Sequence, residues 1–376
     1  MEKQKTRRTG GIISETTPEL TAPAPVPAPG DDAETDVTVT ALRQPAWARL
    51  MLSRPGLPAA VGTVIVYTFF LLVAPSLRTA GGLANVADVA SLLGIMAVGV
   101  SLLMIGGEFD LSSGVATGFS ALVAVHAAYQ LGLNVWAGGV ISLLVTLAVG
   151  LLNGVLLVRT KLPSFIVTLG TMFALQGLDL AVTKLLTGQV IAEGVARMDG
   201  WRSIRAVFGS TIQIGSFGLK VSVIWWIVLL VAGSLMLTRT RLGNWIFAVG
   251  GDPDAARASG VPVARVKIFL FLTVSFCAWV TGMIVMARTG SVQANLGVGL
   301  EFEYIIAAVI GGCLMTGGAG SVVGGALGAL IFGLVKQGIP AAQWDYDWYK
   351  LFLGVMLLAA TIVNEKVRRS AQGGRK

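Results

Sequence analysis

An all-α polytopic membrane protein with about ten transmembrane helices is the fold class that this sequence predicts, on three observations. Of its 376 residues 54% are hydrophobic and 13% charged, about half the charged share (roughly 25%) of an ordinary soluble domain. Runs without Asp, Glu, Lys or Arg occupy 55–77, 111–158, 162–178, 221–238, 268–287, 304–335 and 351–364. A membrane helix needs about 20 apolar residues, so the runs of 48 and 32 residues must each hold more than one crossing. A soluble enzyme is excluded.

Residues 1–54 read as a disordered cytoplasmic tail, because TAPAPVPAPGDD at 21–32 has almost nothing with which to build a core. The membrane body occupies 55–365, and 366–376 form a basic cytoplasmic tail. Ten crossings are expected near 57–76, 86–105, 111–130, 135–157, 163–181, 221–238, 268–287, 300–314, 321–339 and 350–364. An even count puts both termini on one side. Basic residues flank the loops on that side more heavily, which makes it cytoplasmic by the positive-inside rule. The loop 182–220, with five basic residues on the other side, runs against the trend.

Glycines at GxxxG spacing, Gly114 with Gly118 and Gly320 with Gly324, predict close helix contacts. IGG at 105–107 and IGG at 310–312 precede these pairs and suggest a weak internal repeat. Paired glycine-interrupted apolar segments are a sequence pointer to a substrate path, although tight packing alone would also require them.

The net charge of +8 is concentrated at membrane borders, with five basic and one acidic residue in the last twelve, so lipid headgroups account for it better than nucleic acid. One histidine, His126, and two cysteines, Cys277 and Cys313, exclude a histidine-rich metal site and a disulfide framework. No phosphate-binding GxxxxGK[ST] loop occurs, so any ATP is bound elsewhere.

Two constellations stand out. GGEFDLSSG at 106–114 places Glu108 and Asp110 between apolar runs, where a charge at the bilayer centre would cost roughly 2.5–3.5 kcal/mol. Asp110 reads either as a cap for the following helix or as part of a path, and Glu108 as path-lining or border. The segment 239–267 reads as a cytoplasmic loop with a helix of about two turns. In it Asp252 is the N-cap, Pro253 the first helical residue and Gly260 the stop. So short a helix needs a surface, either a groove on a partner or its own loop.

The sequence resembles the permease subunits of bacterial ATP-binding-cassette importers for simple sugars of the ribose, xylose, galactose and fructose type. The resemblance runs from about 55 to 369. It is carried by GGEFDLSSG (106–114), NGVLLVRTKLPSFIVTLGTMFALQGL (153–178), GNWIFAVGGDPDAARASGVPVARVKIFLF (243–271), IIAAVIGGCLMTGGAGSVVGGALGALIFG (305–333) and WDYDWYKLFLGVMLLAATIVN (344–364). Ser113 and Ala319 depart slightly from the usual wording. The resemblance implies a homodimeric pore in the plasma membrane, an ATPase on a separate cytoplasmic chain and an extracytoplasmic sugar-binding protein. It implies no cofactor on this chain. It assigns Gly250, Gly251, Asp252, Ala255, Ala256, Ser259 and Gly260 to ATPase coupling.

A path for a neutral polyol needs hydroxyls, amides and carboxylates. The candidates are Glu108, Asp110, Ser112, Asn153, Ser164, Thr168, Thr171, Gln293 and Asn295. For each Ser and Thr the competing role is a bond to its own helix backbone. Glu301 and Glu303, placed near the outer border, would cap the next helix or meet a binding protein. The competing functions are a permease for branched-chain amino acids or nucleosides, an ion-coupled secondary transporter, and a structural or signalling membrane protein.

Overall fold

The computed structural model describes residues 56–372 apart from position 216. The expected N-terminal tail lies outside the described residues. Thirteen α-helices follow in order: α1 (Leu57–Val73), α2 (Ala80–Ile105), α3 (Ser113–Gln130), α4 (Val135–Thr160), α5 (Ser164–Thr187), α6 (Trp201–Phe208), α7 (Val221–Arg239), α8 (Arg241–Gly251), α9 (Pro253–Ala258), α10 (Val263–Thr289), α11 (Leu300–Ile310), α12 (Val322–Ala341) and α13 (Trp348–Gln372). Each of the ten expected segments contains a helix. Six of them, α2, α4, α5, α7, α10 and α12, are long and apolar enough to cross a membrane. Helix α13 continues to Gln372, into the segment expected to be a tail.

Local chemistry sets the helix ends. The Thr79 hydroxyl accepts from Gly82 N–H at 3.0 Å to open α2, Asn134 Oδ1 accepts from Trp136 N–H at 2.9 Å to open α4, and Ser321 Oγ accepts from Gly324 N–H at 3.2 Å to open α12. The two IGG stretches are the same device used twice. Gly107 and Gly312 take positive φ, 84° and 89°. Glu108 N–H reaches back to the Leu103 carbonyl (3.1 Å) as Cys313 N–H does to Ala308 (3.0 Å). Both are six-to-one helix stops that only glycine makes without strain.

The second stop leaves α11 with 11 residues, about 16 Å long and too short for a hydrocarbon core of about 30 Å. The segment expected to cross over 300–314 is therefore a short helix, preceded by the irregular stretch 294–299. Glu301 and Glu303 are buried. Glu301 Oε2 accepts from Gly299 N–H at 3.0 Å, and Lys336 of α12 donates to Glu303 Oε2 at 2.5 Å.

Helix α2 is the centre of the bundle, with every residue from Leu93 to Ile105 buried. Antiparallel α12 lies along it through glycines. A Cβ on Gly325 would strike the Ser101 side chain, and one on Gly333 would meet Ala90 Cβ at 2.7 Å. Helices α4, α5 and α7 form the rim, with about a third or less of their apolar windows buried (33%, 28% and 28%). Such helices need lipid as their solvent. Of the expected GxxxG contacts, Gly114 and Gly118 pack on the irregular stretch before α11 and on its first turn, and Gly324 on Gly311. Gly320 lies ahead of α12, against Ile105 and Cys313.

Two short antiparallel pairs, which the sequence reading did not foresee, sit at the end of the bundle away from α9. They are β1 (Ile191–Glu193) with β4 (Ser291–Gln293), and β2 (Thr211–Ile214) with β3 (Phe217–Lys220).

Candidate functional site: a braced loop coupled to an exposed helix

Six of the nine expected path residues meet in one buried network around the loop 106–112. On α5, Ser164, Thr168 and Thr171 recur at helical spacing and face that loop. Ser164 Oγ accepts from Phe109 N–H at 3.1 Å and Thr168 Oγ1 from Leu111 N–H at 3.0 Å, so two orphan amides of an irregular segment are satisfied by one helix face. Asp110 Oδ1 accepts from Ser112 N–H (2.8 Å) and Ser112 Oγ (2.6 Å), bracing the turn that opens α3. Asn153 of α4 then joins the two sides, donating to Ser112 Oγ at 3.1 Å and accepting from Thr171 Oγ1 at 2.6 Å. Asn153 and Thr168 are wholly inaccessible and Ser112 nearly so.

The other three candidates stand apart. Glu108 belongs to the same loop, but its side chain turns away to form a partly buried ion pair with Lys267 on α10. Gln293 is in β4, its backbone opposite Ile191, and Asn295 follows; both are exposed and neither joins the network. Lys267 was missed as a site residue because its position suggested only a basic flank. Among the described residues no three His, Cys, Asp or Glu converge as a metal set.

In its present form the network holds the loop, and most of its hydrogen-bonding capacity is internal. Thr171→Val should leave the Asn153 carbonyl oxygen buried without its donor and cost about 1–3 kcal/mol. Thermal unfolding of the detergent-solubilised protein checks this: valine should lower the midpoint, and serine at the same position should restore it.

The second part is the loop of α8 and α9. Asp252 Oδ1 accepts from Asp254 N–H (2.9 Å) and Ala255 N–H (3.0 Å), Pro253 takes the first position, and Gly260 ends the element at φ 83°. The two-turn expectation holds in form, with six residues. Gly251, Asp252, Ala255, Ser259 and Gly260 are exposed, whereas Gly250 and Ala256 are buried. Ala256 therefore anchors α9 on its own protein, and a bulky residue there would test folding, not docking.

Gly250 connects the two parts. A Cβ there would overlap the Ile105 carbonyl oxygen and come within 2.6 Å of Gly318 N. Gly318 N–H in turn donates to that carbonyl at 2.9 Å. A Cβ on Gly317 would lie 2.6 Å from Gly107 Cα and 2.7 Å from the Gly250 carbonyl oxygen. The C-terminus of α8 thus touches both glycine-stopped loops at once, through backbone alone. The paired IGG stretches were the sequence signal; Gly317 and Gly318 gave none by themselves.

The family described as branched-chain amino acid transport system, permease component, matches residues 82–361. The ribose import permease of Escherichia coli strain K12 is 31% identical over 311 residues, covering 81% of this chain and 92% of its own length. The xylose transport system permease of the same strain is 30% identical over 345 residues, covering 77% and 86%. The fructose import permease of Rhizobium meliloti is 28% identical over 320 residues, covering 84% and 87%. No solved structure matches.

Proposed function

This chain belongs to the permease components just described, and on that premise we propose that it forms the membrane path of an ATP-driven importer for a monosaccharide or related polyol. The cargo class follows from relatives named for ribose, xylose and fructose, each aligned over more than three quarters of this chain. Relatives named for sugars favour this reading over the amino-acid branch that appears in the family's description.

The observation that carries the mechanism is the backbone contact of Gly250 with both stopped loops. A helix of six residues, mostly exposed and capped at Asp252, offers a surface to a separate cytoplasmic ATPase through Gly251, Asp252, Ala255, Ser259 and Gly260. Gly250 and Ala256 transmit the force. ATPase closure that moves α9 must move Gly250, and packed backbone cannot stretch, so the loops at 106–112 and 311–321 shift with it. That shift would free Asp110, Ser112, Asn153, Ser164, Thr168 and Thr171 to exchange their internal bonds for sugar hydroxyls. ATP is bound and split by the partner, and this chain carries neither catalysis nor a cofactor of its own.

The reading places α9 and both termini in the cytoplasm of a bacterial plasma membrane, and Gln293 and Asn295 on the side of a sugar-binding protein. A second copy completes the pore. Reconstitution of the chain with its ATPase and binding protein tests this. ATP hydrolysis should rise several-fold with one pentose, hexose or inositol, only when the binding protein is present. A complex that hydrolyses ATP but responds to branched-chain amino acids or nucleosides instead would overturn the cargo assignment.

A further inference from the structure

At the end of the bundle opposite α9 a cavity of about 600 Å³ is lined by Asp88, Trp201, Arg202, Arg205, Lys220 and Arg288, among others. Its lining holds four cations and one carboxylate. The carboxylate is already spent: Asp88 pairs with Arg288 and accepts from Ser222 Oγ at 3.0 Å, and Arg288 also donates to Ser222 Oγ at 2.6 Å. Among the described residues no carboxylate pairs with Arg202, Arg205 or Lys220.

The wall that carries these cations is fixed. Helix α6 buries Ile204 and Phe208. Phe208 stacks on Trp225 (5.3 Å, 2°) and meets Trp279 edge-on at 5.8 Å. The Trp225 indole donates to the Val207 carbonyl at 3.0 Å, and the Trp136 indole to Ser203 Oγ at 2.8 Å. Arg202 and Arg205, three residues apart, are left exposed on the same helix. Three like charges around one space favour an anion among them. Tryptophans of this kind mark a membrane–water border. The cavity takes up three of the five basic residues of loop 182–220 that ran against the charge bias in the sequence.

We propose that this cavity binds a phosphate group, supplied by the headgroup of an acidic phospholipid or by free phosphate. Paired guanidinium forks match tetrahedral phosphate oxygens, and the volume exceeds that of a bare ion and suits a headgroup. The proposal concerns this end of the bundle alone and stands apart from the cargo or the ATPase.

The full-length chain in neutral detergent is titrated with short-chain phosphatidylglycerol, with phosphatidylcholine and with inorganic phosphate, and bound lipid is counted by native mass spectrometry and calorimetry. Phosphatidylglycerol should bind one per chain, with phosphatidylcholine much weaker, and affinity should fall about fivefold for each cation removed by Arg202→Ala, Arg205→Ala or Lys220→Ala. Arg197→Ala, an exposed change in the same loop but away from the cavity, should leave it unchanged. Saturable phosphate binding lost in the same variants would identify the free anion as the source and also support the proposal. If neither probe binds, or if binding ignores Arg202 and Arg205, the proposal fails. It fails too if these variants lose only association with the binding protein, since the surface would then serve a protein partner.

Discussion

Gly250→Leu should destabilise the protein by about 3 kcal/mol, the upper range for overpacking, and abolish coupling to the ATPase. Its new Cβ has nowhere to go, because the neighbouring atoms are the Ile105 carbonyl and the Gly318 amide, which are backbone and are bonded to each other. Gly251→Leu is the matched comparison. No atom lies within 4 Å of its added Cβ, so stability should stay within about 0.5 kcal/mol, while sugar-dependent ATP hydrolysis should fall because the new side chain stands on the proposed docking face. Melting curves and hydrolysis rates of the two variants read both effects. Equal melting temperatures for Gly250→Leu and wild type would refute the idea that the α8 terminus is wedged between two loops.

The second large effect is expected at Lys267→Met. Glu108 and Lys267 have side chains only 9% and 19% exposed, so removing the cation leaves a nearly buried carboxylate alone, at about 3–5 kcal/mol. The double variant Lys267→Met with Glu108→Gln removes both charges and should recover most of the loss. A double-mutant cycle on thermal stability measures the coupling, and simple additivity would show that the pair is not formed. The pair ties the braced loop to the first turns of α10, so even the recovered double variant should transport more slowly than wild type.

Charge counting located the helices well and their ends less well. Helix α10 begins at Val263, not near 268, because Lys267 can lie inside it once Glu108 neutralises it. Helix α2 begins at Ala80, not near 86, because Thr79 caps it there, and its Asp88 is paired with Arg288. A linear sequence cannot show such partners when they are about 160 or 200 residues apart. The two-turn helix α9 was legible to the residue, since Asp252, Pro253 and Gly260 act on their immediate neighbours. The four strands were not, because three or four residues are too few to display alternation.

The candidate site divides in the same way. Ser164, Thr168 and Thr171 share a helix face that spacing alone reveals, but their meeting with the 106–112 loop and Asn153 was not legible, because the bonds join residues 18 to 57 positions apart, and Thr168 and Thr171 also bond their own helix backbone, as the competing role expected. Gln293 and Asn295 were polar at a loop, where exposure needs no partner, and they lie apart from the rest. Gly250 and Gly251 look alike in sequence, yet one is wedged and the other open. Only the path of the surrounding backbone separates them.

Uptake into proteoliposomes that contain the chain with its ATPase and binding protein tests the central claim most directly. With ATP on the α9 side, labelled ribose, xylose or fructose should accumulate against its gradient, and Gly251→Leu should stop accumulation without dissolving the pore. Accumulation that continues without ATP and follows a proton or sodium gradient would contradict the account.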